Sequence, residues 1–133
     1  MSEVRIIIAG GRDFDGVDNY GILSDTLSEY IEKRLECVDH RNIVIISGGA
    51  RGADKLGEAF AYNDGLRCRR FPAYWDQYGR AAGPIRNRKM AKYAAEETGV
   101  LFAFWDGKSR GTKNMIGWAK SYGLEIHVVR YEN

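Results

Sequence analysis

Residues 42–54 read Asn42-Ile-Val-Ile-Ile-Ser47-Gly48-Gly49-Ala50-Arg51-Gly52-Ala53-Asp54, and this stretch decides the fold. Four consecutive β-branched residues favour extended backbone. They do not alternate with polar residues, so the strand is buried on both faces, as in a parallel sheet. The run stops in a turn holding Gly48, Gly49 and Gly52. A helical pattern follows, with Ala53, Leu56, Ala59 and Phe60 on one face and an end near Asn63-Asp64-Gly65. A strand, a glycine-rich turn and a helix make up the first part of a βαβ unit.

The same order returns on either side. Val4-Arg-Ile-Ile-Ile-Ala9 predicts a first buried strand ending at Gly10-Gly11. From Tyr20, apolar residues at Leu23, Leu27, Tyr30, Ile31 and Leu35 predict a helix, with Asp18 or Asn19 as its cap. Leu66–Phe71 predicts a third strand, and its three arginines suit an exposed edge. Pro72–Pro84 reads as an aromatic loop and 85–97 as a helix with Met90, Tyr93 and Ala94 inward. Val100–Phe104 reads as a fourth strand. Gly107–Gly111 is then a loop, Thr112–Tyr122 a helix and Glu125–Arg130 a fifth strand. Strands alternating with helices predict one Rossmann-like α/β domain over 1–133. Its roughly five mainly parallel strands take the order 3-2-1-4-5, with helices on both faces.

The 133 residues suffice for one domain with its own core. A hydrophobic fraction of 44% and a charged fraction of 29% exclude a disordered or fibrous chain. No apolar run approaches the ~20 residues of a membrane-spanning helix. Glu3 and Arg5 at the start argue against a signal peptide. Cys37 and Cys68 form no CxxC pair and read as reduced thiols, so the expected location is the cytoplasm. The net charge is +2, too balanced to announce nucleic acid by itself. The basic residues cluster, however: Arg67, Arg69, Arg70, Arg80, Arg86, Arg88, Lys89 and Lys92 fall in one stretch.

In doubly wound sheets, ligands bind beyond the carboxyl ends of the strands. Three polar, glycine-rich loops fall there. Gly10-Gly11-Arg12-Asp13-Phe14 follows the first strand, Ser47–Asp54 the second, and Asp106-Gly107-Lys108-Ser109-Arg110-Gly111-Thr112 the fourth. Glycine lets a ligand approach the backbone, and a helix N-terminus presents N–H donors to phosphate. One such loop is only a tight turn; three in one small domain point to a phosphate or nucleotide. Gly10, Gly11, Arg12, Asp13, Ser47, Gly48, Gly49, Ala50, Gly52, Asp54, Gly111 and Thr112 are therefore candidate ligand contacts. Arg86 and Arg88, near the start of a helix where its dipole does not favour cations, read as anion partners. Asn87 between them offers a donor and an acceptor to a ribose or a base edge. The loops match neither the G-x-G-x-x-G fingerprint nor a complete P-loop, whose earlier glycine would fall at Phe102. His40 and His127 lack partners at metal-binding spacing, and no metal site is expected.

In this order the segments resemble the SLOG superfamily, which groups the DprA/Smf proteins with the LOG phosphoribohydrolases, and within it the small YspA/YpsA-related branch. Gly10–Phe14 is similar to that branch's GGRDF start, and Ser47–Asp54 to the SGxARGxD segment of DprA-like proteins. Arg86-Asn87-Arg88 falls where DprA has RNR, and Arg110-Gly111-Thr112 where LOG enzymes carry the end of PGGxGTxxE. The resemblance implies binding of a nucleotide-derived ligand, an ADP-ribose-like or nucleoside monophosphate molecule. By the same resemblance Gly48, Gly49 and Gly52 would line the phosphate loop, Arg88 would match the arginine of the LOG ERK segment, and Gly111 and Thr112 would grip phosphate. The departures are Gly107-Lys108-Ser109 in place of PGG, and Met115 in place of the LOG glutamate. A thioether cannot stabilise the cationic sugar of a breaking glycosidic bond.

The leading expectation is a domain that binds a nucleotide or nucleotide-derived ligand at these loops, as a sensor or a processing domain. No cofactor is implied beyond Mg²⁺ carried by a phosphate ligand. A rival is a hydrolase acting on a nucleotide-like substrate, with Asp13 and Asp54 as candidate catalytic residues and Asp106 as the other available carboxylate. A second rival is DprA-like binding of single-stranded nucleic acid along 67–92, where Tyr74, Trp75 and Tyr78 interleave with the cations. Relatives in the superfamily commonly pair, so a homo-oligomer is compatible with the sequence.

Overall fold

The computed structural model describes residues 2–132. Five strands form one parallel sheet: β1 (Val4–Gly10), β2 (Ile43–Ser47), β3 (Arg67–Arg70), β4 (Thr98–Trp105) and β5 (Glu125–Arg130). Their spatial order is β3-β2-β1-β4-β5, as the sequence predicts. The helices are α1 (Gly16–Arg34), α2 (Ala53–Asn63), the single turn α3 (Trp75–Tyr78), α4 (Ala82–Ala95) and α5 (Arg110–Ser121).

Side chains alternate across each strand, so one sheet serves two cores. Ile6 and Ile8 point to one face, where they join Leu23, Leu27 and Phe60 of α1 and α2. Ile7 and Ala9 point to the other, against Met90 and Ala91 of α4 and Met115 and Ile116 of α5. The strands β1 and β2 are covered on both sides, which is why they read as unbroken apolar runs. The edge strand β3 is exposed along its length and carries the arginines. Arg67 pairs with Glu3 at 2.6 Å and Arg70 with Glu58 at 2.6 Å, while Arg69 lies 4.3 Å from the centre of the Tyr93 ring. Charge on this edge opposes pairing with another sheet.

Several boundaries differ from the sequence reading: β4 begins at Thr98 rather than Val100 and α5 at Arg110 rather than Thr112, and two differences are larger. Helix α1 begins at Gly16 rather than Tyr20, and its cap position is Asp15. Asp18 lies inside the first turn, and Asn19 donates back to the Asp15 carbonyl at 2.9 Å. The stretch 72–84 is not one loop: it contains α3 and a 3₁₀ turn (Gly79–Ala81) that runs into α4. Pro84 sits in the first turn of α4, where a missing N–H costs nothing. Arg86 and Arg88 consequently lie a turn deeper in the helix than their sequence reading placed them.

From β1 the chain winds to β2 and β3 on one side, then returns to β4 and β5 on the other. The loops after β1 and β4 therefore part company, and a crevice opens between them at their carboxyl ends. Phe14 pins the first of these loops. It is fully buried, stacked on Phe104 at 4.9 Å and tilted against Tyr131 at 4.8 Å.

Candidate ligand-binding cleft

A cleft of about 850 Å³ occupies this switch point, a size that suits a nucleotide-scale ligand. The β1 loop supplies Gly10, Gly11, Arg12 and Asp13, and the β2 loop Ala50 and Asp54. From α4 come Arg86 and Asn87; from the end of β4 and the start of α5 come Asp106, Ser109, Gly111 and Thr112. Three sequence-remote loops thus converge as the sequence reading requires. Gly48 and Gly49 line a smaller adjoining cavity, to which Arg12, Ala50 and Arg86 also contribute.

The β1 and β2 loops are joined through one atom. The Gly11 carbonyl accepts the N–H groups of Ala53 and Phe14, each at 3.2 Å, and the Gly11 N–H donates to the Phe104 carbonyl at 3.2 Å. Gly52, buried at the cap of α2, lets these backbones approach and does not line the cleft. Ser47 is also behind the surface. Its hydroxyl donates to Glu58 at 2.6 Å and accepts the Gly49 N–H at 3.0 Å, fixing the loop from beneath.

Asp54 is buried in the first turn of α2, and its Oδ2 accepts the Ala50 N–H at 3.1 Å. Burial pushes its carboxyl up to about 6; the Ala50 and Gly48 N–H groups and the Arg86 charge pull the other way. Arg86 lies opposite. Its Nη1 donates to the Gly48 carbonyl at 2.6 Å and its Nε to Asn87 Oδ1 at 2.9 Å. The Arg86 guanidinium and the Asp54 carboxylate crowd the point where a Cβ on residue 48 would lie, so a side chain there would push them aside. Burial lowers the Arg86 pKa, Asp54 raises it and Arg12 lowers it. The guanidinium is therefore held, partly desolvated, at the cleft wall.

Asn87 acts as a strut. Buried, it donates to Asn114 Oδ1 at 3.1 Å and to the Gly111 carbonyl at 3.3 Å, tying α4 to the start of α5 while orienting Arg86. Asp106 accepts the N–H groups of Lys108 at 2.8 Å and Ser109 at 2.9 Å, and these bonds hold its carboxyl below the ordinary range. Ser109 caps α5 and accepts the Thr112 hydroxyl at 3.2 Å. Asp13 accepts the Tyr131 hydroxyl at 2.6 Å. Arg88 departs from its expected place. It lies outside the cleft, with its guanidinium 5.3 Å from the Trp118 ring centre and donating to the Tyr122 hydroxyl at 3.3 Å.

The sequence reading missed Arg80, Asn114 and Met90, which also line the cleft. Asn114 follows Gly111 at helical spacing, a signal that could have found it. Met115, at the position of the LOG glutamate, lines the cleft and is buried, so an apolar thioether faces the site there.

The Asp54 carboxyl gives a pH prediction. Between its ordinary 3.8 and about 6 the folded state binds a proton that the unfolded state has released, so this group's contribution to stability falls as pH rises through that window. A shift of roughly two units is worth about 3 kcal/mol, and asparagine gives up an acceptor worth about 1 kcal/mol. Asp54→Asn should therefore gain on the wild type between pH 4 and 6 and exceed it by about 2 kcal/mol at pH 7. Urea unfolding across this range measures the difference; a flat difference would show an unshifted carboxyl.

The fold and the cleft define a Rossmann-like α/β domain with a ligand crevice at its topological switch point. Residues 4–78 match the model of the YAcAr family, described as the YspA, cpYpsA-related SLOG family, and the chain belongs to that family. The chain is 30% identical over 133 residues to the Gene 61 protein of Mycobacterium phage D29, covering 92% of this chain and 93% of that protein. It also resembles the X-ray structure of DNA processing protein A (DprA) from Streptococcus pneumoniae, with a TM-score of 0.70 and 14% identity. That match covers 98% of this chain, which spans 51% of the DprA chain. At this identity the likeness speaks to the fold alone.

None of the described helices is long and apolar enough to cross a membrane.

Proposed function

We propose that the cleft binds a nucleotide or nucleotide-derived ligand, with its phosphate against the β2 and β4 loops and its nucleoside part toward Asn87, Met90 and Met115. The observation that carries this reading is Arg86. A partly desolvated guanidinium, oriented by the Gly48 carbonyl and Asn87, stands among three glycine-rich loops. Such a group costs free energy to hold, and an anion repays it through charge-assisted bonds. Membership of a SLOG family and the DprA-like fold support nucleotide-related or nucleic-acid binding at the coarser level.

The test is a thermal-shift panel of nucleoside monophosphates, ADP-ribose, NAD and sugar phosphates, with and without Mg²⁺. A ligand at 100 times its Kd should stabilise the fold by about 2.7 kcal/mol, a rise of several degrees in Tm. No shift with any member overturns the reading. A shift only with oligonucleotides, steeply weakened by salt, would assign the cleft to nucleic acid instead.

A hydrolytic reading is favoured by one observation, the Asp54 carboxyl in the cleft with its pKa raised to about 6, in the range that suits acid–base work. It predicts turnover of the bound nucleotide that Asp54→Asn abolishes while binding persists.

A further inference from the structure

The helices on the two sides of the sheet carry opposite charge. On α1 the exposed residues Asp18, Ile22, Asp25, Glu29 and Glu32 follow one another at intervals of four and three. That spacing lines them up as one stripe, facing away from the buried Leu23, Leu27 and Ile31. Helices α4 and α5 cover the other side of the sheet, and neither contains an aspartate or a glutamate. Their exposed cations are Arg88, Lys89 and Lys92 on α4 and Lys113 and Lys120 on α5. The Trp118 ring, 5.3 Å from the Arg88 guanidinium, adds apolar surface to this face, and Gly117 has nothing within 4 Å of where its Cβ would lie. Glu29 pairs with Lys33 at 2.7 Å. Asp18, Asp25 and Glu32 have no ion-pair partner among the described residues, and neither have Lys92, Lys113 and Lys120.

We propose that these faces are the two halves of one interface: the α1 stripe of one copy docks head to tail on the α4–α5 face of a second copy of this chain. The occupant follows from charge complementarity within a single sequence. Neither face can meet itself, because like charges would be opposed. A two-fold dimer would need both faces in one contact, and the sheet stands between them. The contact is therefore heterologous, and each copy leaves one face open for the next. Helix α1, with 19 residues and about 28 Å long, suits the groove between two neighbouring helices. Its carboxylates would meet the lysines, and Ile22 would meet the apolar surface at Trp118 and Gly117. A net charge of +2 leaves little overall repulsion between copies. One helix on two makes a small interface, so association is weak and reversible. Exposed ion pairs are screened by salt, so assembly belongs to low ionic strength. The proposal does not rest on the ligand reading of the cleft.

The experiment is sedimentation velocity on the whole chain over a range of protein concentration. It compares about 0.01 M with about 1 M salt, where the Debye length is about 30 Å and about 3 Å. The expected result is species larger than a dimer at low salt, growing with concentration, and a monomer at high salt. The triple variant Asp18→Asn, Asp25→Asn, Glu32→Gln removes one face, and Lys92→Gln, Lys113→Gln, Lys120→Gln removes the other. These side chains are exposed and outside the cleft, so both variants should fold, which circular dichroism checks. Each variant alone should self-associate about tenfold more weakly than the wild type. An equal mixture of the two should form a dimer and nothing larger, because each brings one intact face. A wild type that stays monomeric at low salt overturns the proposal. So does a dimer that never grows, which would mark a two-fold interface, or association that survives high salt. Undiminished association in either variant, or a mixture that stays monomeric, overturns it as well.

Discussion

Arg86→Met is expected to weaken binding of the nucleotide ligand on the order of 100-fold, with a smaller loss of stability. Methionine keeps the length and apolar stem but removes every donor. Two or more charge-assisted bonds to an anion, each worth about 1.5–3 kcal/mol, account for a loss of that size. The stability loss has its own source. The Gly48 carbonyl accepts from Arg86 at 2.6 Å, and leaving such a buried acceptor unpaired costs about 1–3 kcal/mol. Asp54 also loses the positive charge that favours its ionised form, so its carboxyl should titrate above about 6. Arg86→Lys should restore the charge without the fork, recovering about a tenth of the lost affinity rather than all of it. Calorimetry measures the affinities and urea unfolding the stability. Wild-type affinity in Arg86→Met would remove the central contact from the proposed site.

Much of this arrangement is legible in the sequence because two strong signals coincide there. The β-branched runs at Ile6–Ile8 and Ile43–Ile46 admit little but buried parallel strands, and the glycines that follow fall at their carboxyl ends. The sheet order and the convergence of three loops follow from that. Arg88 shows the limit. It stands two residues from Arg86, and on a helix that separation turns a side chain about 200° away, toward Trp118 and Tyr122. The sequence pattern places both arginines near one site; helical geometry separates them. The start of α4 is unclear for a related reason. Ala82 and Gly83 carry weak local preference, and their burial against neighbouring elements decides the boundary. Asn87 was legible as a polar group but not as a strut, since its partners Gly111 and Asn114 are brought to it only by the packing of α4 on α5.

Gly52→Ala should cost more than any other single methyl addition to the cleft loops, on the order of 4 kcal/mol or more. Two independent effects add. Gly52 has φ +80° and ψ −130°, a backbone region that L side chains rarely adopt, and strain of this kind is worth about 1–3 kcal/mol. A Cβ there would also collide with the Gly11 carbonyl oxygen and come within 2.6 Å of the Arg12 backbone. That carbonyl is the junction that accepts the Ala53 and Phe14 N–H groups, so relieving the collision breaks the link between the β1 and β2 loops. Gly49→Ala is the internal comparison. Gly49 has φ +75° with nothing within 4 Å of an added Cβ, so it carries strain without collision and should cost only about 1–2 kcal/mol. The two variants therefore separate backbone strain from loop contact. Urea unfolding should place Gly52→Ala well below Gly49→Ala, and the ligand's thermal shift should vanish in the first and persist in the second. Equal stabilities would mean that the two loops are not locked together at Gly11, and that the cleft does not depend on their close approach.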